Sequence, residues 1–588
     1  MNKRIQILSI LFLGLSSVAF SQIREEKLIL TKKREPEVKK IEKKKTSVEV
    51  VKNYPPEEKS ANPVQYNITD VPAVSDFKTS TIQGQDVAPT FDAAAQNNYF
   101  QIGMGNYGKF LADGNISKTL DNKLEVGADV HVLTTNGLKK DYAWDSDSRT
   151  ANLGAFLNAY GEKGKVNVNA EYALDDYNYY GIYALNPSAG VDLSQKVNQI
   201  RVNGYYDFYS NNILNDVRVK SNFLSDRFNA KENQVSALAN LSKHAVNITD
   251  DIKLNADLGL GIETVQSDFK IIDRNSSTYL NFSLAPKVTF MKGETYLMLG
   301  SGFSFLNSRF SNLSMAGEAK NSKTFWFPQA EFQLAASKEF KFYGGVDGGL
   351  KLNTYSDLLQ QNPFLVSDEM LRPTETKFHF YAGLRGDISE TLKYDFSAGY
   401  GKINNIMFFK ANTLFDSGLA LDRFGFDYAN TFSAIYDDGN VSDIKGSVQY
   451  FPLANLVLDA EVRFQKYELK NFENIYNVPL VSGSIGAKYT MLQKKLSLGF
   501  KGIFASDRTT NSYTLEGVSN PMLMFQSTEN TNDKVGGYAD LNLSAEYKFH
   551  KNFSIFALGN NLLSSKYQTY KGYKVLGAQI LGGVKITF

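Results

Sequence analysis

From Asn97 to the C-terminus the chain alternates between apolar and polar positions. Leu280, Phe282, Leu284, Pro286, Val288 and Phe290 fall on one face of a segment whose other face carries Asn281, Ser283, Ala285, Lys287 and Thr289. Near the end, Ala539, Leu541, Leu543, Ala545, Tyr547 and Phe549 alternate with Asp540, Asn542, Ser544, Glu546 and Lys548. A period of two is the period of a strand. Polar side chains at every second position over about ten residues do not suit the dry interior of a sandwich. They suit a wall with lipid on one side and a wet lumen on the other. Aromatic residues recur near the strand ends, where interfacial girdles stand. Past the N-terminus no run reaches about 18 apolar residues, so no helical membrane span is predicted.

The breaks in the alternation come in two lengths. Short polar turns centre near residues 121, 163, 211, 250, 293, 338, 390, 454, 494 and 551. Longer polar loops lie between them, at 134–148, 176–194, 226–232, 266–276, 309–322, 354–373, 410–434, 471–479, 508–536 and 567–574. Short periplasmic turns and long outer loops are the pattern of an outer-membrane barrel. With a hairpin added at each end, Tyr99–Leu120 and Phe553–Phe588, the pattern predicts an all-β, transmembrane antiparallel β-barrel of about 22 strands, with both termini on the periplasmic side. It encloses a lumen too wide for wall side chains to fill. Closure is expected from Ala61–Gln96 folded inside, from the loops 354–373, 410–434 and 508–536 turned inward, or from a partner subunit.

The first 96 residues are different material. Lys3 and Arg4, an apolar run from Ile5 to Phe20, and Ala19 and Ser21 before Gln22 read as a signal peptide over 1–21. Residues 22–96 read as a charged, irregular periplasmic segment, and 97–588 as the barrel. Between Ile23 and Lys59 stand 12 Lys+Arg and 8 Asp+Glu, centred on Lys39, Lys40, Lys43, Lys44 and Lys45. Such a stretch buries too little apolar surface to offset its ordering entropy. It reads as a solvated tether, or as a docking arm for a periplasmic partner or anionic headgroups.

Composition narrows the chemistry. With no Cys in 588 residues there is no disulfide, thiol nucleophile, thiolate metal site or N-terminal lipidated cysteine. A net charge of +2 gives no support for nucleic acid as a partner.

Three segments carry a family resemblance. One is Ile102-Gly103-Met104-Gly105-Asn106-Tyr107-Gly108. The second is Tyr436-Asp437-Asp438-Gly439-Asn440-Val441-Ser442-Asp443-Ile444-Lys445-Gly446-Ser447. The third is the ending, Gly559-Asn560-Asn561-Leu562-Leu563-Ser564-Ser565-Lys566-Tyr567 followed by Gly583-Val584-Lys585-Ile586-Thr587-Phe588. Over roughly residues 97–588 the chain resembles the barrel of TonB-dependent receptors, in a style similar to Bacteroidota proteins. The resemblance implies the cell outer membrane, membrane lipid as surroundings, and the barrel-assembly machinery as a partner in biogenesis. That machinery would read Val584, Ile586 and Phe588. Family members carry a plug domain of well over a hundred residues. Only 75 residues, 22–96, precede the barrel here, and neither a plug glycine pattern nor a TonB box is visible in them.

The search for catalysis is short. His131, by strand parity, shares a polar face with Glu125 and Asp129, and His379 with Lys377, Tyr381 and Arg385. His244 and His550 complete the set. Residues two apart on one face lie about 7 Å apart, too far for Asp129 and His131 to form a dyad. No nucleophile elbow, zinc helix or phosphate loop occurs. Asp175-Asp176, Asp250-Asp251 and Asp437-Asp438 lack calcium-loop spacing and read as turn residues. Trp144 and Trp326 read as interfacial anchors. No enzyme, cofactor or metal is expected. The expected function is transport across the outer membrane by a receptor-like barrel whose lumen another segment or partner closes, with a periplasmic or surface lipoprotein as a candidate partner. The alternative is a non-transporting scaffold subunit of an envelope complex.

Overall fold

In the computed structural model the described residues are 98–588, apart from 121–122, 139–143, 186, 188–189, 210–212, 316, 416–422 and 518–524. The segment 1–21 expected to be a signal peptide and the expected docking arm with Lys39, Lys40, Lys43, Lys44 and Lys45 lie outside them. The alternating region forms one 22-stranded antiparallel sheet. It closes on itself: Tyr99–Gly105 pairs with Phe110–Leu120 on one side and with Gln579–Thr587 on the other, from Tyr99 opposite Thr587 to Gly105 opposite Leu581. Closure leaves no free sheet edge, which a hydrocarbon environment demands. The strand count and all ten short connections are as the sequence predicts.

Alternation sorts the side chains. Leu153, Ile200, Phe282, Leu299, Phe380, Ile444, Ile485 and Ile580 stand exposed around the outside of the barrel. Their sequence neighbours turn to the lumen, where amides and charges pair. Asn203 donates to Asn169, Asn169 to Asn167, Asn167 to Asn158, and Asn158 to Glu125. At about 4.8 Å between strands and a tilt near 40°, 22 strands enclose a ring roughly 40 Å across between backbones. The wall is uneven in height. Tyr99–Gly105 has 7 residues and Phe553–Asn560 has 8, whereas Leu392–Ala411 has 20 and Phe432–Leu453 has 22. A 22-residue strand is about 70 Å long, more than twice what a hydrocarbon core requires.

Three details differ from the sequence reading. The strand that opens the last hairpin at Phe553 stops at Asn560, well before the loop expected at 567–574. Asn561 has a positive φ of 46°, and its side-chain amide donates to Ser565 O and Leu576 O, which folds 561–578 into a loop. The loop 508–536 contains a hairpin, Arg508–Gly517 against Phe525–Val535, outside the barrel sheet. Lys377 falls at a register shift between Thr376 and Phe378, which breaks the parity that grouped it with His379.

Candidate functional site

The outer loops on this wide ring do not all extend into solvent. The connection 352–373, between Lys341–Lys351 and Thr374–Ile388, contains the single α-helix among the described residues, Tyr355–Gln361. Thr354 caps the helix, its side chain accepting the Asp357 N–H at 3.0 Å. The wall completes the cap. Glu232, on Lys231–Asn247, accepts the backbone N–H groups of Tyr355 at 2.6 Å and Ser356 at 2.9 Å, and the Ser267 hydroxyl at 2.8 Å. A carboxylate on two orphan helix donors is a strong, directional tie.

The rest of the connection reaches in three directions. Towards strands far round the ring, Tyr177 and Tyr179 donate their hydroxyls to Pro363 O and Leu365 O. The Tyr355 hydroxyl lies 3.1 Å from Asp226 and 3.2 Å from Ser367, and Gln195 Nε2 donates to both of those residues. Asp368 accepts the Arg274 and Asn275 backbone N–H groups and the Asn275 amide. On the side nearest in sequence, Val366 N–H donates to Phe432 O, and Phe432 N–H to Phe364 O. Glu369 accepts Ala434 N–H at 2.7 Å. Towards the last loop, Tyr570 donates to Gln361 O, and the Phe364 and Tyr573 rings stack. A segment bonded to three separated arcs of a 22-strand ring has to cross its interior. Residues 352–373 therefore span the outer lumen.

An apolar core forms where they cross. Leu358, Leu365, Val366, Leu371 and Phe364 pack with Tyr179, Phe269, Phe409, Phe426, Phe432 and Tyr573. Two of the loops that sequence flagged, 354–373 and 410–434, thus meet over the lumen. The third, 508–536, braces them, with Asn511 bonded to Ala411 N–H and O and Arg508 donating to Gln568 O and Thr569 O. Glu369 is 1% exposed within this cap, and its Oε1 has no hydrogen-bond partner. Burial pushes its carboxyl well above the usual carboxylate range, and burial raises that of neighbouring Asp368 as well. The sequence reading missed Glu369. An acidic residue in a polar loop carries no local sign of burial.

The residues singled out from sequence are dispersed. His131 Nδ1 lies 3.6 Å from Asp113, not against Asp129. His379 sits on the lumenal wall between Asp443, at 3.1 Å, and Asp347, at 3.7 Å, and stacks on Tyr381. Tyr381 shares Glu331 with Tyr296, and Arg385 bonds Gln333 and Tyr296. His244 pairs with Asp257, and His550 accepts the Asn552 N–H. No two of the four histidines are brought together. Among the described residues no group of three His, Asp or Glu is arranged to hold a metal ion.

Two of the three acidic pairs are not in turns. Asp175 and Asp176 end a strand, and Asp437 and Asp438 lie within one. Asp437 accepts the Asn471 and Phe472 N–H groups and Asp438 accepts Asn405 N–H, so both anchor neighbouring chain. Trp144 is not a membrane anchor, because its indole donates to Tyr180 O and its ring packs on loop residues Ile182, Leu193 and Tyr428. Trp326 does stand on the lipid face, 61% exposed. Val584, Ile586 and Phe588 stand exposed along the closing strand and its end.

Comparison with solved structures matches this architecture. The ferric-catecholate import receptor Fiu of E. coli K12 superposes with a TM-score of 0.60 at 10% identity, over 84% of this chain and 81% of that one. The ferric yersiniabactin uptake receptor FyuA of Yersinia pestis gives 0.56 at 12%, over 84% and 80%. The pyoverdine receptor FpvA of Pseudomonas aeruginosa gives 0.57 at 11%, over 84% and 79%. No family model and no curated protein matches the chain. At these identities the likeness establishes the fold. That fold is a closed 22-strand outer-membrane β-barrel, the architecture that the sequence resemblance implied.

Proposed function

We propose that this protein is an outer-membrane transport barrel whose own outer loops form its gate, with 352–373 as the moving part. The observation that carries this reading is the crossing of the lumen by that connection, held by side-chain hydrogen bonds, one isolated backbone bridge and one apolar core rather than by membership of the barrel sheet. A ring of this width conducts when nothing crosses it. A cap built of loops opens locally at far lower cost than a sheet. The solved structures it resembles include import and uptake receptors, which favours transport over the scaffold alternative. The lumenal wall, with its paired amides, carboxylates and guanidinium groups, suits passage of a hydrated solute. No described cluster suits covalent chemistry.

The gate reading is tested by a lock. Leu365 and Phe432 face each other in a parallel bridge, and the chain has no native Cys. Replacing both with Cys gives a disulfide that pins the connection to the wall. In a planar bilayer the oxidised variant should stay closed, and reductant should restore the opening events of the parent. Identical currents with and without reductant, in protein shown by mass to be cross-linked, would sink the gate reading.

A further inference from the structure

The first and last strands meet at the lowest part of the wall, and their lumenal face holds polar groups without partners among the described residues. Lys109 ends the turn between Tyr99–Gly105 and Phe110–Leu120 and is 6% exposed. Its backbone carbonyl accepts the Gly105 N–H at 2.9 Å, but among the described residues its ammonium has no ion-pair or hydrogen-bond partner. Burial alone lowers its pKa to about 8, with no charged neighbour contributing. The nearest lumenal carboxylate along its strand, Asp113, is engaged by Gln101 at 3.0 Å, Tyr99 at 3.2 Å and His131 at 3.6 Å.

Gln579, at the outer end of Gln579–Thr587, is 1% exposed, and both its Nε2 and its Oε1 lack partners. An amide buried with neither function satisfied is destabilising unless something is bound there. Between the two groups lies an apolar floor. Leu111, two residues below Lys109, and Leu581, two below Gln579, pack with Phe556 in one cluster that Leu133 and Leu558 extend. At the level of Leu111 and Leu581 the strand between them presents Gly103 and Gly105 to this face, with Tyr99 and Gln101 below. Alternation puts Lys109 on the face of Leu111 and Gln579 on the face of Leu581, each about 7 Å further out. The rim is stapled by Asn106, which donates to Ala578 O and accepts from Ile580 N–H.

An apolar patch with a few convergent, unmet polar groups is the usual form of a small-molecule site. The groups themselves specify the ligand. Lys109 supplies a cation with no anion. Gln579 supplies one donor and one acceptor. The leucines and Phe556 supply contact for an apolar body. We propose that Lys109, Gln579 and the Leu111–Phe556–Leu581 patch form a lumenal binding site for a small apolar carboxylate with an adjacent N–H. This is the chemistry shared by an N-acylated apolar amino acid and by the C-terminus of an apolar peptide. The carboxylate accepts from Lys109 Nζ and Gln579 Nε2, the ligand N–H donates to Gln579 Oε1, and the side chain lies on the patch. Nothing is transferred; the step is binding. The inference rests on the transport reading for its purpose, as a way-station in the lumen, but not for its test.

The test is calorimetric titration of the full-length mature protein in nanodiscs. N-acetyl-L-leucine should give saturable heat, and N-acetyl-L-leucinamide, which lacks the charge, should bind at least tenfold more weakly. Lys109→Met and Gln579→Leu should each weaken binding at least tenfold at an unchanged melting temperature. Lys109→Arg should retain part of it. Acetyl-Ala-Ala-Leu separates the two sources: tighter binding than N-acetyl-leucine assigns a peptide terminus, and weaker binding a free acylated amino acid. The proposal is overturned by absence of saturable heat, by equal affinity for the leucinamide, or by full affinity in Lys109→Met. In each case the unmet atoms hold water only. None of those results bears on whether the cap gates conduction, which is read from currents in protein without ligand.

Discussion

Glu369 is the residue on which closure depends most sharply. It is a carboxylate in an apolar cap with one backbone donor. Because burial raises its pKa, the closed cap holds a proton that the open form releases at the ordinary carboxylate pKa of about 4.3. Closure is therefore at full strength below that pH. It weakens as pH rises towards the raised value, by at most about tenfold per pH unit. Hydrogen exchange across 362–371, corrected for intrinsic rate, should quicken from pH 5 to pH 8. In Glu369→Gln that quickening should shrink to the part due to Asp368, whose carboxyl burial also raises, and an unchanged pH profile in that variant would show that Glu369 is not a titrating group. Tyr355→Phe removes the hydroxyl beside Asp226 and Ser367 and should loosen the cap by about 1–2 kcal/mol, read by the same exchange. Such roles were closed to sequence reading. Asp368-Glu369 looks like solvated loop until chain from 65 residues further on packs over it. Of the histidines, conspicuous by rarity, His131 and His379 prove to be pieces of a lumenal hydrogen-bonded wall, and His550 accepts a turn N–H.

At the scale of elements, strands and turns were legible because each carries its own signal. Alternation marks a lipid face and a lumen face, and Gly, Asn, Asp and Lys clusters mark the turns. The lipid face makes a prediction of its own. Val584, which pairs with Ile102 and Ile555 and is 49% exposed, should tolerate Ile, whereas Val584→Arg should destabilise the barrel by about 2–4 kcal/mol in urea unfolding from liposomes. The lumenal neighbour Lys585→Gln should cost far less. The cap was less legible, since its elements are stabilised by one another rather than by a local pattern. Helix Tyr355–Gln361 has two turns, below the length at which a helix is stable alone, and exists because Glu232 and Thr354 meet its first N–H groups. Phe364→Ala, which removes a ring stacked on Tyr573, should cost the cap about 3–4 kcal/mol. It should speed exchange in 355–371 while leaving the melting of the barrel unchanged. A common shift of both would mean that cap and barrel unfold as one unit.

On the scale of the whole molecule, the tall wall of Leu392–Leu453 and the low wall at the seam divide the labour. The tall strands carry the loop that packs against the crossing connection 352–373, and the seam closes the ring and, by the inference above, offers a site. The sequence implied that a ring of 22 strands needs closing, and it named the loops among the means. It did not choose between them, because the contacts that decide join residues 186 apart, as Tyr179 joins Leu365. The most direct test is single-channel conductance in a planar bilayer. The full-length protein is compared with a variant in which 356–370 is replaced by a short Gly-Ser link, both shown to be folded by heat-modifiable mobility. The account predicts brief, infrequent openings from the parent and large, steady currents from the shortened protein. Equal currents from the two, whether both large or both absent, would contradict it.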